Sequence, residues 1–379
     1  MLPTFRSRQM RWARPGLALA CAAAVALLAG CGNPAPLPAA PTASVTSVAA
    51  TLAPTPEGTP TLTTQQWLEP YTLRGLRERP WTPAKLVGRE EKLKTSIFTR
   101  YAITYLSDGL RITGILQVPA QGKPPFPVIV MNHGFFNRIE YRAGDGTDRA
   151  AEYLNRRGYL TLSSDYRSWD GSEAGPSLYY SGLVIDVVNL MRAAESIPEA
   201  DTGRIGMWGH SMGGGVTMKV LTLETPVKAA VLYSTVSADD ADILARWGLG
   251  CIGDIEAGEN QLGCNSSDVI PLDLPPELIK AYYEASLDAA LLAGTSPIHN
   301  LELVSVPIQI HYGTRDGENM AGTPPEWSQK LFSALEAAGR PVELFGYDGE
   351  RHSFVGDSWV AFMERSARFF DKYVRVPGP

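Results

Sequence analysis

Two kinds of segment alternate along the chain from about residue 97 onward. Short apolar runs, such as residues 128–131 and 204–208, have the length and composition of strands that are buried on both faces. Longer helix-compatible segments, such as residues 183–195, separate them. This alternation predicts an α/β fold with a mostly parallel central sheet and helices on both faces. Side chains with a chemical role are then expected at the carboxyl ends of the strands.

The same pattern predicts where the individual elements lie. Strands are predicted at residues 102–106, 110–116, 128–131, 159–163, 204–208, 228–233, 306–312 and 342–347. Helices are predicted at residues 148–157, 183–195, 216–223, 326–338 and 359–373. The first two strands are joined by a turn, because Ser107-Asp108-Gly109 lies between them.

Residues 239–300 interrupt this alternation. They hold an acidic run, two cysteines, a Pro-Pro pair and a helical run at residues 277–292. We predict that this segment is a cap inserted over the site. Residues 67–95 have a mixed, aromatic composition and are expected to form a lead-in segment packed on the same domain. Residues 67–379 are therefore predicted to form one domain with a cap insertion.

The first 31 residues have the pattern of a secretion signal. A basic stretch ending at Arg14 precedes an apolar run at residues 17–28, which is too short to span a membrane comfortably. The residues that follow, LAGC at 28–31, resemble a bacterial lipobox, in which Cys31 is lipidated and becomes the first mature residue. Ordinary signal cleavage, with Cys31 incidental, is the alternative. Both alternatives predict a protein that works outside the cytoplasm, and the first predicts a lipid anchor in the bacterial cell membrane.

A tether is predicted between the signal and the folded domain. Residues 32–66 are rich in Pro, Ala and Thr and nearly free of charged and aromatic side chains. Such a segment cannot bury a core, so we expect it to be disordered and partly extended. A tether of this kind would let a lipid-anchored domain stand away from the membrane surface.

Composition and charge limit the classes of partner that the protein is expected to bind. The chain has 379 residues, 44% of them hydrophobic, which suits a globular protein with a large core. The formal net charge is −6, and removal of the four arginines of the signal gives −6 − 4 = −10. An acidic body without a basic stripe argues against nucleic acid as a partner. The sequence also contains no C-x-x-C or H-E-x-x-H run, so no metal site is predicted.

The four cysteines divide between the N-terminal segment and the predicted cap. Cys21 is lost with the signal, and Cys31 is the predicted lipidation site. Cys251 and Cys264 remain, and an oxidising compartment allows them to form a disulfide. Closing so short a loop would stabilise the fold by roughly 3 kcal/mol in the chain-entropy model. Two free, buried thiols are the alternative.

A glycine-rich turn joins the strand at residues 204–208 to the next helix. Its sequence, GHSMG at residues 209–213, has the pattern G-x-S-x-G of a nucleophile elbow. In such a turn a strained backbone lifts the hydroxyl of Ser211 above the sheet, and the glycines let strand and helix pass closely. The amide of Met212 then points at the developing oxyanion from a helix N-terminus. A glycine-rich turn that contains a serine by chance is the alternative.

A serine hydroxyl is a good nucleophile only when an oriented base removes its proton. The sequence has five histidines. Four of them are poorly placed. His133 precedes the serine and His210 adjoins it. His299 lies at the cap boundary and His311 lies inside a strand. The side chain of His210 is expected to point away from the serine hydroxyl. His352 remains, in the loop after the last strand, and is the predicted general base.

The acid that orients this base is expected directly after the preceding strand. Asp316 has that position, in GTRDG at residues 313–317. It would fix the tautomer of the histidine and stabilise the imidazolium. Glu318 is the next candidate, and an ordinary turn aspartate before a glycine is the alternative.

A second oxyanion donor is expected in the loop after the strand at residues 128–131. Phe135 follows His133-Gly134 there, so its backbone amide is the predicted partner of the Met212 amide. Loss of one such donor typically costs roughly 3 kcal/mol of transition-state stabilisation. A simple tight turn at His-Gly is the alternative.

Five motifs resemble, in the same order, landmarks of the catalytic domain of prolyl oligopeptidase-type (S9) hydrolases and their dienelactone-hydrolase-like relatives. They are HG at residues 133–134, DYR at 165–167, DTGRIGMWGHSMGG at 201–214, GTRD at 313–316 and RHSF at 351–354. The resemblance covers roughly residues 97–374. It implies an α/β-hydrolase fold with the catalytic triad Ser211, Asp316 and His352.

Two features depart from that family's patterns. Its peptidases usually carry an N-terminal β-propeller that screens peptides, whereas fewer than a hundred residues precede the fold in this sequence. The cap with its cysteine pair is a feature that open, cutinase-like polyesterases lack. We therefore expect a capped serine esterase that cleaves carboxylic esters through an acyl-enzyme, without a metal or an organic cofactor.

Two other functions stay open. An aminopeptidase-like enzyme acting on short peptides would need acids that bind a free amine, for which Asp239, Asp240 and Asp242 are candidates. A surface lipoprotein that keeps the fold but only binds its ligand would not react with a serine-directed phosphonate. The aromatic candidates for the walls of the pocket are Tyr166, Trp169, Tyr179, Tyr180 and Trp247, and packing in the core is the alternative for each of them.

Overall fold

The computed structural model describes residues 62–253 and 264–375. The predicted signal peptide, the predicted lipidation site Cys31 and most of the predicted tether lie outside the described residues. No helix within the described ranges is long and apolar enough to cross a membrane.

Strands form the centre of the described part of the chain. In chain order they are β1 (Leu86–Lys94), β2 (Phe98–Ser107), β3 (Leu110–Pro119), β4 (Phe126–Asn132), β5 (Leu160–Ser164), β6 (Ala200–His210), β7 (Val227–Tyr233), β8 (Gly250–Ile252), β9 (Asn265–Ile270), β10 (Ile308–Gly313) and β11 (Val342–Tyr347). Strands β8 and β9 pair with each other in a small separate sheet. The others form the main sheet, in the order β1-β2-β3-β5-β4-β6-β7-β10-β11.

The main sheet changes direction part-way across. The neighbouring pairs from β1 to β5 are antiparallel, and the pairs from β5 through β4, β6, β7 and β10 to β11 are parallel. The predicted mostly parallel sheet is therefore confirmed. All eight predicted strands correspond to observed strands, with ends that differ by a few residues.

The helices cover both faces of this sheet. In chain order they are α1 (Thr64–Leu68), α2 (Leu73–Glu78), α3 (Asp148–Asn155), α4 (Ser181–Ala193), α5 (Met212–Leu221), α6 (Asp240–Trp247), α7 (Pro276–Ser286), α8 (Ala289–Ala293), α9 (Pro325–Ala337) and α10 (Gly356–Phe370). Strand β4 is buried along its whole length, and its side chains alternate between two cores. Val128 and Val130 belong to a core that also contains residues of α4, α5 and α9, whereas Ile129 and Met131 belong to a core that contains residues of α3 and α10.

One element of local structure was not predicted, and one prediction on local structure was wrong. The lead-in segment contains β1, an edge strand of the main sheet. Most residues of β1 are polar and exposed, so the sequence shows no hydrophobic pattern that would predict a strand there. The helix predicted at residues 277–292 is broken into α7 and α8. The side chain of Asp288 accepts hydrogen bonds from the amides of Ala290 and Leu291, and this N-cap begins a new helix.

The segment predicted as a cap forms a compact insertion between β7 and β10. It contains α6, β8, β9, α7 and α8. Its own small core is built around Ile270, Leu278 and Tyr282, and Leu178 of the main domain packs into it. A buried ion pair between Lys219 of α5 and Asp240 of α6 joins the insertion to the helix that follows Ser211.

Candidate active site

Ser211 lies at the sharp turn between β6 and α5. Its backbone has φ +55° and ψ −122°, a strained conformation for a residue with a side chain. A Cβ at Gly213 would collide with the carbonyl oxygen of Asn132, and a Cβ at Gly209 would collide with the carbonyl oxygen of Gly213. The two glycines therefore allow the close crossing that the elbow requires.

His352 and Asp316 meet at the carboxyl ends of neighbouring strands. Asp316 follows β10 and His352 follows β11. The Nδ1 atom of His352 lies 3.0 and 3.1 Å from the two carboxylate oxygens of Asp316. A carboxylate only accepts, so Nδ1 carries the proton and Nε2 is left as the basic nitrogen.

The carboxylate of Asp316 is held by further donors. The amides of Gly317 and Thr323 donate to one oxygen at 2.8 and 2.9 Å, and the Thr323 hydroxyl donates to the other at 2.7 Å. Burial raises the pKa of Asp316, but the hydrogen bond and charge of His352 and the bonds from Thr323 outweigh it. The net pKa lies below its usual value, so Asp316 is ionised at neutral pH.

The loop after β4 lies against the nucleophile. A Cβ at Gly134 would lie 3.1 Å from the Cβ of Ser211. The next residue, Phe135, lines the same cavity as Ser211 and Met212. These positions place the two predicted oxyanion donors, the amides of Phe135 and Met212, on the chain segments that flank Ser211.

His133 orients that loop, a role that the sequence did not suggest. Its ring is fully buried between Tyr141 and Tyr166, and its Nδ1 donates to the carbonyl oxygen of Gly134 at 2.7 Å. Burial lowers the pKa of His133 to about 4, so the ring is neutral. The Gly134 carbonyl and the Phe135 amide belong to one trans peptide group and point in opposite directions, so a bond to the first orients the second.

Ser211 and His352 open into one cavity of about 440 Å³. Six of its lining residues are apolar, namely Phe135, Met212, Val236, Trp247, Met320 and Ala321. Four others are Cys264, Asn265, Ser266 and Ser267. Among the described residues that line it there is no Asp, Glu, Lys or Arg, so this wall is neutral apart from the histidine.

The insertion builds much of this cavity, as expected of a cap. Trp247 comes from α6, and Asn265 to Ser267 come from β9. Cys251 and Cys264 form a disulfide with their Cα atoms 5.0 Å apart, and Cys264 stands at the edge of the cavity.

The remaining sequence candidates lie elsewhere. Asp240 pairs with Lys219, whereas Asp239 and Asp242 both pair with Lys330, so each acidic candidate for amine binding is already paired with a lysine. Glu318 pairs with Arg315 at the surface. Of the five aromatic candidates only Trp247 lines the cavity; the other four are buried in the core, namely Tyr166, Trp169, Tyr179 and Tyr180.

His210, to which the sequence assigned no role in the reaction, also lies at the site. Its ring stacks on Tyr233 with centroids 4.4 Å apart, and the ring of His352 lies 4.8 Å away. Its Nε2 lies 3.1 Å from the backbone oxygen of His352. The side chain thus reaches the predicted base, and no local pattern in the sequence indicates this.

Metal ligation has no comparable support. Within residues 62–253 and 264–375, no group of three or more His, Cys, Asp or Glu side chains is arranged to hold a metal ion.

Comparison with known proteins agrees with the fold described above. The family profile of X-Pro dipeptidyl-peptidase (S15 family) matches residues 108–273, which is less than half of the chain. Est1E from Butyrivibrio proteoclasticus, in a structure with bound ferulic acid, superposes with a TM-score of 0.53 at 18% identity, over 72% of this chain and 98% of that one. The chain has an α/β-hydrolase fold. The predicted fold is thereby confirmed.

Curated relatives in sequence are a lipase and a peptidase. The lysophosphatidylserine lipase ABHD12 of Xenopus tropicalis is 28% identical over 137 residues, which is 32% of this chain and 34% of that protein. The uncharacterized peptidase YuxL of Bacillus subtilis is 25% identical over 302 residues, 73% of this chain and 41% of that protein. The chain thus spans less than half the length of these relatives. One is named a lipase and the other a peptidase, which agrees with the predicted serine-hydrolase class.

Proposed function

We propose that this chain is a serine hydrolase that cleaves carboxylic esters with the triad Ser211, His352 and Asp316. The observation that carries the proposal is the single cavity into which both Ser211 and His352 open, with His352 bonded to a buried, ionised Asp316. A nucleophile, a base with a free Nε2 and an acid that orients the base are the parts that acyl transfer requires.

The reaction proceeds in two halves. The hydroxyl oxygen of Ser211 attacks the acyl carbon while Nε2 of His352 takes its proton, and the amides of Met212 and Phe135 donate to the oxyanion. The carbon–oxygen bond to the alcohol then breaks, and His352 gives the proton to the leaving alcohol. Water, deprotonated by His352, attacks the acyl-enzyme and releases the acid with Ser211 restored. Asp316 stabilises the imidazolium in both halves.

An ester is favoured over a peptide by the charge of the cavity. An aminopeptidase-type site needs an acid to bind the free amine of its substrate. The three acids proposed for this role are paired with Lys219 and Lys330, and the described wall is neutral apart from the histidine. Apolar side chains such as Trp247 and Met320 suit an uncharged acyl or alcohol group instead.

The test compares a short p-nitrophenyl ester with an aminoacyl p-nitroanilide. We expect hydrolysis of the ester only, and loss of turnover on the order of a millionfold in Ser211→Ala. Ser333→Ala, an exposed serine of α9, is the matched control and should keep full activity. Efficient cleavage of the anilide would replace the ester with a peptide substrate. A wild-type protein that neither cleaves the ester nor reacts with a serine-directed phosphonate would leave only a binding function.

We also propose that the enzyme is attached outside the cytoplasm through a lipid on Cys31. The support is the basic and apolar sequence before LAGC at residues 28–31. The disulfide between Cys251 and Cys264 fits an oxidising compartment. Expression of the full chain in a bacterium should place it in the membrane fraction, and Cys31→Ser should release it from that fraction. Equal distribution of the two proteins would contradict the anchor.

A further inference from the structure

One titratable side chain at the site has no part in the reaction described above. His210 ends β6 and directly precedes Ser211. Its ring lies between the ring of Tyr233, with centroids 4.4 Å apart and an interplanar angle of 25°, and the ring of His352, with centroids 4.8 Å apart. The nearest ring to the candidate base is therefore another histidine, and it comes from the nucleophile elbow.

The hydrogen bond of His210 has only one possible direction. Its Nε2 lies 3.1 Å from the backbone oxygen of His352, and a carbonyl oxygen only accepts. The proton of the neutral ring is therefore on Nε2. The opposite nitrogen, Nδ1, lies 3.5 Å from the position of a Cβ at Gly134. The imidazole thus fills the space between the oxyanion loop and the loop that carries the base.

A second contact holds the same loop from β7. The backbone amide of Phe354 donates to the hydroxyl of Tyr233, the residue on which His210 stacks. The backbone is thus anchored at His352 by its carbonyl and at Phe354 by its amide. His210 and Tyr233 end two adjacent parallel strands and face each other in their register. The loop that carries His352 is therefore held by the ends of β6 and β7, and Ser211 directly follows β6.

We propose that His210 is a positioning residue that sets the imidazole of His352 relative to Ser211, through its bond to the His352 carbonyl and its stacking on the ring. This inference rests on the proposed function, because it assigns a role within that same site. It adds that the residue before the nucleophile controls the base directly.

The charge of His210 fits this role. Burial lowers the pKa of His210 to about 3, with repulsion from His352 as a further cause, so the ring is neutral at any working pH. The titratable groups that face it are His352, Asp316 and the hydroxyl of Tyr233. A positive charge at this position would oppose the imidazolium that His352 forms in the transition state. A neutral donor positions the base without that penalty.

The experiment compares three variants of the full chain in ester hydrolysis and in the rate of labelling by a fluorophosphonate. In His210→Gln the side-chain amide reaches the position of Nε2 and keeps the donor. His210→Asn is too short to reach it, and His210→Phe keeps the stacked ring without a donor. We expect kcat and the labelling rate to fall by about 10- to 100-fold in His210→Asn and His210→Phe, because small misplacements of a catalytic group have effects of this size. KM should stay within about twofold of the wild-type value. Gln should recover most of the loss.

The control is His299→Phe, which replaces a half-exposed histidine at the border of the insertion and should leave all rates unchanged. Equal activity of Asn, Phe and wild type would overturn the inference, and so would a Gln variant as impaired as Asn. Should Phe not fold, as judged by thermal unfolding, the comparison of Gln with Asn decides alone. Loss of activity in Ser211→Ala tests the proposed function separately, and a wild type that neither cleaves nor labels overturns both.

Discussion

The ion pair between Lys219 and Asp240 should be one of the strongest single contacts between the insertion and the main domain. Both side chains are nearly inaccessible, with 3% and 5% of their surface exposed. The ammonium of Lys219 donates to the carboxylate at 2.8 and 3.1 Å and to the carbonyl oxygen of Thr295 at 2.6 Å. Because Asp240 begins α6 and Thr295 follows α8, one lysine of α5 binds both ends of the insertion.

Replacement of the lysine alone should be costly. Lys219→Met keeps the packing of the aliphatic stem but leaves a buried carboxylate without its counter-ion, which typically costs about 3–5 kcal/mol. For a chain of this size that lowers Tm by roughly 10 °C. In Lys219→Met/Asp240→Asn both charges are absent, and Thr295 can still bond to the amide. The double variant should therefore regain roughly 2 kcal/mol relative to Lys219→Met.

The deficit of Lys219→Met should also depend on pH. Burial raises the pKa of Asp240, and without Lys219 nothing of comparable strength opposes that effect. The folded variant then binds a proton at a pH where the unfolded chain has released it. Its free energy of unfolding must therefore rise as the pH is lowered from 8 towards 5.

Urea unfolding followed by tryptophan fluorescence at pH 8 and pH 5.5 measures these quantities for wild type and the variants. Lys330→Met is the matched control, because Lys330 pairs with two acids but is 42% exposed, and its loss should cost less than about 1 kcal/mol. A cost below 1 kcal/mol for Lys219→Met would refute the reasoning. So would a double variant no more stable than the single one.

Three further variants test the site and its surroundings. Asp316→Asn should lower kcat by about 10⁴-fold, because His352 loses the acceptor that fixes its tautomer, and near-normal kcat would contradict the triad. Arg246→Met removes three hydrogen bonds to carbonyls of the loop that follows Asp316, so we expect roughly 2 kcal/mol lower stability by urea unfolding and a reduced kcat. Burial raises the pKa of Asp165 to about 7. The contribution of Asp165 to stability therefore falls as pH rises from about 4 to 7, so the stability of wild type relative to Asp165→Asn should fall over that range, and a difference independent of pH would contradict this.

Local sequence patterns were sufficient where short-range forces dominate. The apolar run of β4 is buried on both faces, and the alternation of such runs with helices left a mostly parallel sheet as the consistent arrangement. The elbow was equally readable, because only glycine tolerates the crossing at residues 209 and 213. The order of the residues along the chain then indicated His352 as the base and Asp316 as the acid. In the structure Nδ1 of His352 lies 3.0 Å from a carboxylate oxygen of Asp316.

Other features were missed because they depend on contacts distant in sequence. Strand β1 is polar and largely exposed, so its strand conformation comes from pairing with β2 and not from a hydrophobic pattern. The break between α7 and α8 depends on a single capping carboxylate at Asp288. The hydrophobic pattern averages over many residues, so it reveals neither the pairing of one polar strand nor the effect of one capping side chain.

The fold class, the elbow and the residues available for a triad could be inferred from the amino-acid sequence, because periodicity, glycine positions and strand order are local or nearly local properties. The contacts that hold these residues in place depend instead on packing between elements that are distant in sequence. His210 reaches the carbonyl of a residue 142 positions away, and Lys219 neutralises Asp240 from another element. The described lining of the cavity carries no Asp, Glu, Lys or Arg, and Asp239, Asp240 and Asp242 of the insertion pair with lysines instead.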